Sequence, residues 1–383
     1  MPQLNDNINI QMVDLNRQYL RIKDDVDSSI QAVINEARFV KGKIVRDFEE
    51  NLEKYLGVSN VISCGNGTDA LQIAFMALDL NQGDEVIVPS FTYVATAEVL
   101  KLLGLQPVLV DVDLLSYNIN INQIESAITS KTKAIVPVHL FGQCANMEPI
   151  LEIAKKYNLY VVEDTAQALG AVYKFSDGSV VRAGCIGDIG TTSFFPSKNL
   201  GAFGDGGAMF TNNQELADKI RMIANHGQKT QYYHDIVGVN SRLDTIQAAI
   251  LDIKLKYLDE YEKRRFDLAQ FYTRSFSDIN QILTPQLFDY SSHVFHQYTI
   301  QVDAGIRNEL KAFLAQKGIP TMIYYPLPLH KQKAFADCVF SRVSLEVSDS
   351  LCGSVLSLPM HTEMHIEEQD YIVSSVGEFF NFK

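Results

Sequence analysis

Residues 192–210 read TSFFPSKNLGAFGDGGAMF and set a single cation, Lys198, among aromatic residues and glycines. Lysine is rarely buried unless it is paired or has a chemical task. In a pocket of low dielectric its pKa falls, by up to about 3–5 units on full burial. The neutral amine can then attack a carbonyl and form an imine. The glycines of GDGGA (204–208) fit a close backbone approach around such a site, and a turn would use them too.

Around this stretch the chain alternates short apolar runs with helical patterns. VISC (61–64) precedes a glycine turn and DALQIAFMAL, and EVIVPS (85–90) precedes ATAEVLKLLG. PVLVDV (107–112), KAIVPVHL (133–140) and YVVEDT (160–165) follow, separated by segments such as MEPILEIAKKY. This alternation predicts βαβ units, an α/β fold and a largely parallel sheet. Strands apolar throughout match a sheet covered by helices on both faces. Residues Gly65 to Asp69, Tyr93, Asp164 and Gln167 fall where these strands end, and the crevice beyond strand carboxyl ends is the usual ligand site of an open α/β sheet.

After His226 the pattern changes. The spacing in SRLDTIQAAILDIKLKYLDEYEKRRFDLAQFY predicts one long helix. VFHQYTIQV (294–302) reads as a strand and RNELKAFLAQKG (307–318) as a helix of a smaller α+β domain. The division is placed at 1–250 and 251–383, with no Gly/Ser linker to mark it.

Two further segments bear on Lys198. GNGTDA (65–70) is a strand-to-helix turn whose amides suit a phosphate, with the Thr68 hydroxyl adding a donor. A dinucleotide-binding turn and a plain tight turn are the other readings. VVEDTAQALGA (161–171) ends a strand in two carboxylates, of which Asp164 suits a protonated ring nitrogen or a helix N-cap. A lysine imine, a carboxylate for a pyridinium and a phosphate-binding helix start are together the requirements of pyridoxal phosphate.

Composition narrows the classes. The 383 residues are 46% hydrophobic and carry a formal net charge of −13 with no Lys/Arg block, which argues against nucleic acid. No window approaches the roughly 18 apolar residues of a membrane helix, and MPQLNDNINIQMVDLNRQYL does not read as a signal peptide. Cys64, Cys144, Cys185, Cys338 and Cys352 form no CxxC pair, so reduced thiols in a cytoplasmic protein are expected. His361 and His365, and His293 and His296, lack the HExxH form, so no metal site is expected.

From Gln11 to Pro359 the sequence resembles the DegT-type nucleotide-sugar aminotransferases, within the fold type I pyridoxal-phosphate enzymes. The motifs are NGTDAL (66–71), PSFTYVATAE (89–98), HLFGQ (139–143), EDTAQALGA (163–171), SFFPSKNLGAFGDGGA (193–208), HGQ (226–228), GVNSRLDTIQAAIL (238–251), YYPLPLHKQ (324–332) and SLPMH (357–361). The resemblance implies that Lys198 holds the cofactor covalently and carries the proton, with pyridoxamine phosphate as the intermediate form. It assigns Asp164 to the pyridinium nitrogen, Gln167 to the phenolic oxygen and Tyr93 to ring stacking. Gly67, Thr68, Asp69 and Ser193 would hold the phosphate.

It further implies a homodimer in which Asn240 reaches the neighbouring subunit's cofactor; read without the resemblance, Asn240 is a helix N-cap. Arg242, Tyr324, Tyr325 and His330 fall on the nucleotide-sugar side. Members that dehydrate or deoxygenate the sugar commonly carry His where this chain has Lys198, so SFFPSK favours transamination. The implied reaction takes an amino group from glutamate to a keto group at C3, on a UDP-linked 2-acetamido-3-keto-glucuronate or a dTDP-linked 3-keto-6-deoxyhexose, for surface polysaccharide or glycan synthesis. Tyr324 stands where such 3-aminotransferases often have His, which bears on the uronate. Amination at C4, a sensor without turnover, and a dinucleotide oxidoreductase resting on GNGTDA are the alternatives; intact Lys198, Asp164 and Gln167 argue against the sensor.

Overall fold

A computed structural model describes residues 9–337, 339–340 and 343–381. Its centre is an eight-stranded sheet. Seven strands come from the first part of the chain: β1 (Asn60–Cys64), β2 (Glu85–Pro89), β3 (Gln106–Val110), β4 (Thr132–Ile135), β5 (Tyr160–Asp164), β6 (Ile189–Ser193) and β7 (Gly207–Thr211). After β8 (Tyr298–Gln301), which lies elsewhere, β9 (Val339–Phe340) completes the order β1-β7-β6-β5-β4-β2-β3-β9. All neighbours run parallel except at β7, which is antiparallel to β1 and to β6.

Each residue of β1, β2 and β7 is buried, which accounts for their mostly apolar sequences. Parallel neighbours need crossovers, supplied by helices such as α1 (Gly67–Ala77) after β1 and α2 (Ala95–Leu102) between β2 and β3. This winding brings the carboxyl ends of β1, β2, β5 and β6 to one edge.

The sheet is pinned there by backbone proximity. A Cβ on Gly207, at the start of β7, would stand 2.4 Å from the Asn66 carbonyl oxygen. Gly207 pairs with both Cys64 of β1 and Ser193 of β6, so only glycine allows the strand to pass the turn at this point.

The long helix expected after His226 is two helices. α3 (Thr245–Leu255) and α4 (Leu258–Ser275) are separated by Lys256 and Tyr257. There the amides of Lys256 and Tyr257 bond back three residues, to Ile253 and Lys254, at 3.2 and 3.0 Å. This tighter turn redirects the chain while the apolar spacing continues, so periodicity alone does not reveal it. Asn240 is not the cap: α3 starts at Thr245 after Asp244.

Beyond α4, β8 pairs antiparallel with β10 (Val355–Leu358). Helices Ala304–Gln316 and Ile366–Asn381 contribute to a separate apolar cluster with this pair and α4. Leu329, Phe335 and Leu351 pack instead into the cluster of the central sheet. The four described cysteines are free, and Cys338 lies outside the described residues. Among the described residues no helix is long and apolar enough to cross a membrane.

Candidate active site

The strand ends open into a cavity of about 590 Å³ lined by Gly67, Thr68, Tyr93, Asp164, Gln167, Ser193, Lys198, Tyr324 and Tyr325, all anticipated from sequence. At the β1–α1 turn, Asn66 caps the helix: its Oδ1 accepts from the Asp69 amide at 2.8 Å and its carbonyl from the Ala70 amide at 3.1 Å. The amides of Gly67 and Thr68 have no partner among the described residues. They carry the positive end of the helix dipole. Ser193 closes the cradle, since a Cβ on Gly67 would lie 2.6 Å from the Ser193 Cβ.

Two-residue alternation on β5 separates its carboxylates. Glu163 is wholly buried and accepts from the amides of Gly184, Ile186 and Gly187 at 2.7–2.9 Å. It also pairs with His139 Nε2 at 2.9 Å. Asp164 faces the cavity instead. Its Oδ2 accepts from the Thr96 hydroxyl at 2.9 Å and its Oδ1 from the Ala166 amide at 3.1 Å. Two donors fix the carboxylate in place.

Gln167 is held at both ends. Its Oε1 accepts from the Phe141 amide at 2.8 Å, and its Nε2 donates to the Tyr325 hydroxyl at 3.0 Å. Tyr93 presents its ring at the cavity, 56% exposed and 6.3 Å from the Tyr325 ring.

Lys198 sits on the turn after β6, its amide bonded to the Phe195 carbonyl at 2.8 Å. Its amine has no hydrogen-bond partner among the described residues. Desolvation lowers its pKa to about 8, against an opposing pull from Asp164. A neutral amine is therefore accessible near neutral pH.

Asp69, Asn240, Arg242 and His330 are placed otherwise than as cavity lining. The Asp69 amide is committed to Asn66, and its carboxylate accepts from the Ser241 hydroxyl at 2.5 Å, so the turn offers the Gly67 and Thr68 amides instead. Asn240 is exposed and bridges to Asn225, while Arg242 lines a second hollow with Lys41, Arg46 and Arg221. His330 is tied to Ser90 Oγ at 2.7 Å and to Asp349 at 3.0 Å.

The cavity also takes in residues that sequence reading did not assign, among them His296, Gln297, Thr92 and Asp205. His296 drew notice only for its spacing from His293. It is buried, Nδ1 has no partner among the described residues, and desolvation, then the charges of Lys198 and Arg265, keep it neutral. The available signal was a polar His–Gln pair beside the strand-like YTIQV.

A family model described as the DegT/DnrJ/EryC1/StrS aminotransferase family matches residues 21–377. The chain belongs to this family. It is 45% identical over 378 residues to a "pleiotropic regulatory protein" of Geobacillus stearothermophilus, covering 97% of this chain and 99% of the relative. It is 47% identical over 352 residues to the UDP-2-acetamido-2-deoxy-3-oxo-D-glucuronate aminotransferase of Pseudomonas aeruginosa, covering 92% and 95%. The crystal structure of NtdA from Bacillus subtilis, with bound cofactor PMP, superposes with a TM-score of 0.90 at 32% identity, covering 99% of this chain and 87% of that one.

The protein is thus a pyridoxal-phosphate-dependent nucleotide-sugar aminotransferase. The cavity's donor set fits that cofactor: the Gly67 and Thr68 amides, without partners among the described residues, and the Thr68 and Ser193 hydroxyls for a phosphate, a fixed carboxylate for a ring nitrogen, and a desolvated amine.

Proposed function

We propose that this aminotransferase moves an amino group from glutamate to the C3 keto group of a nucleotide-linked sugar, releasing 2-oxoglutarate. The observation that carries this reading is the desolvated Lys198 amine sharing one cavity with the doubly fixed Asp164 carboxylate. The C3 position is supported by the 3-oxo sugar in the name of the Pseudomonas relative. When bound, pyridoxal phosphate supplies an aldehyde and an electron-accepting ring.

The chain's residues do the rest. The amides of Gly67 and Thr68, with the hydroxyls of Thr68 and Ser193, bind the phosphate. Asp164 would hold negative charge for the ring nitrogen, Gln167 would meet the phenolic oxygen, and Tyr93 would stack on the ring. Lys198 Nζ takes the proton from the amino donor's α-carbon and later returns one to the sugar carbon that gains nitrogen, as a general base and then a general acid. Tyr324 and Gln297 line the same cavity and are assigned to the sugar.

Glutamate and a panel of 3-keto and 4-keto nucleotide sugars, UDP- and dTDP-linked, test the assignment. Amino transfer to the 3-keto members is expected; transfer to the 4-keto members alone would overturn the C3 reading. A cytoplasmic location and a role in surface-polysaccharide or other glycan synthesis belong to the same proposal, as does a chain division near residue 250, supported by the separate apolar cluster that α4 forms with β8 and β10.

A homodimer with jointly built sites is also proposed. Asn240 is exposed and outside its own subunit's cavity, so a cavity that it serves belongs to another copy. Exposed Phe39, Val40, Tyr232, Tyr233 and Val237 offer apolar surface for pairing. Lys198→Ala and Asn240→Ala subunits, each poorly active, are then expected to complement. One site of a mixed dimer collects both lesions and the other neither. Random assortment makes about half the dimers mixed, so activity recovers to roughly one quarter of wild type per subunit. Co-expressed, doubly tagged dimers without recovery would refute joint sites.

A further inference from the structure

A second lysine poses the question that Lys198 posed. Lys254, on α3, is 1% exposed, and no carboxylate among the described residues pairs with it. Its Nζ donates to the Gly201 carbonyl at 2.6 Å and lies 5.6 Å from the centre of the Phe203 ring. Seven residues earlier on the same helix face, Gln247 Oε1 accepts from the Phe203 amide at 2.8 Å. Helix α3 therefore grips, at two points, the loop that carries Lys198.

That loop has little slack. The Ala202 amide bonds to the Phe194 carbonyl at 2.8 Å, closing the turn on both sides of Lys198. A Cβ on Gly201 would stand 2.2 Å from the Pro196 carbonyl oxygen, so the two passes of the loop are in contact. A shift at Gly201 moves Lys198 with it.

Stability alone is a poor account of Lys254. An ammonium buried without a carboxylate carries an uncompensated desolvation cost, and an apolar side chain of the same length would fill the space without it. Its pKa falls to about 7, through burial first and the Arg265 charge second. What the lysine provides and an apolar residue would not is a donor to Gly201.

We propose that Lys254 and Gln247 are positioning residues, a two-point clamp from α3 that sets the loop presenting Lys198 to the cavity. This rests on the reading of Lys198 as the cofactor's attachment point. The second buried cation of the helix pair, Arg265 of α4, bonds to the carbonyls of Phe295 and His296 at 3.3 and 3.5 Å, on the cavity wall that carries His296.

The test compares wild type with Lys254→Met, Lys254→Arg, Gln247→Ala and Lys198→Ala. On the unloaded protein, the melting temperature and the pH dependence of Lys198 acylation by acetic anhydride are measured, the latter by peptide mass. Pyridoxal phosphate affinity is measured as the fraction trapped by borohydride.

Lys254→Met is expected to melt at or above the wild-type temperature, since it removes a buried charge. Its Lys198 acylation midpoint is expected to move up from about 8, because a loosened loop hydrates the amine. Cofactor affinity falls about tenfold or more. Gln247→Ala shifts both in the same direction and tests the clamp independently should Lys254→Met not fold. Lys254→Arg, which keeps a donor and the charge, restores both. Wild-type midpoint and affinity in Lys254→Met and Gln247→Ala would overturn the clamp, as would a lower melting temperature with both readouts unchanged. Covalent trapping by Lys198→Ala would overturn the underlying reading of Lys198 instead, so the two failures are told apart.

Discussion

Lys198→Ala is expected to fold, to bind pyridoxal phosphate without a covalent bond, and to lose amino transfer by about 10³-fold or more. On the proposed roles, two functions disappear with one side chain: the nucleophile that bonds the cofactor and the base that moves the proton. Removal of a positioned acid–base group alone costs about 10²–10⁴-fold. The fold has little to lose, because the amine makes no hydrogen bond among the described residues and its burial is unfavourable to the charge. The melting temperature of the unloaded variant is therefore expected to match or exceed that of wild type. In wild type, the rate of covalent capture is expected to rise with pH through about 8 and level off above it, as the amine loses its proton. Multiple-turnover activity of Lys198→Ala within tenfold of wild type would refute the assignment.

Asp164→Asn is expected to keep the fold and bind cofactor, yet to turn over at least tenfold, about 1.4 kcal/mol, more slowly. The introduced carboxamide oxygen can still accept from the Ala166 amide, and the Thr96 hydroxyl can rotate to serve as acceptor, so both contacts of the carboxylate survive. What is lost is the charge proposed to stabilise a protonated ring. A second readout follows in the unloaded protein. Asp164 raises the pKa of Lys198, so its neutralisation should lower the acylation midpoint from about 8. This shift is opposite in sign to the one expected of Lys254→Met, which separates loss of charge from loss of position. A rate within tenfold of wild type, with an unmoved midpoint, would reduce Asp164 to a structural cap of the turn at Ala166.

Much of the site was legible because its residues follow strand ends. Asp164 closes β5, Tyr93 follows β2 and Gly67 opens α1 three residues after β1, whereas Ser193, at the end of β6, was assigned through the resemblance and Lys198 through its setting among aromatic residues and glycines. Apolar runs identify the strands, and the polar residue where a run stops is the one the sheet delivers to its edge. Other assignments turned on side-chain geometry. Thr68 and Asp69 are neighbours in the same turn, but the Asn66 carboxamide satisfies one amide and leaves the other. His330 belongs to the YYPLPLHKQ motif with Tyr324 and Tyr325, yet its ring turns toward Ser90 and Asp349.

The amino-acid sequence by itself determined the α/β class, the strands β1 to β5 with helices between them, and the lysine, carboxylate and helix start that together point to pyridoxal phosphate. These rest on local periodicity and on chemistry carried within single short segments. Only the tertiary structure decided that His296 and Gln297 come to the same cavity as Thr68, that Asn240 and Arg242 stay outside it, and that Lys254 is buried against Gly201. The break at Lys256 and Tyr257 belongs with these, because it aims α3 and α4 separately at two walls of the site. Such facts depend on packing between segments distant in the chain, where burial and the competition for hydrogen-bond partners, rather than residue spacing, determine where a side chain lies.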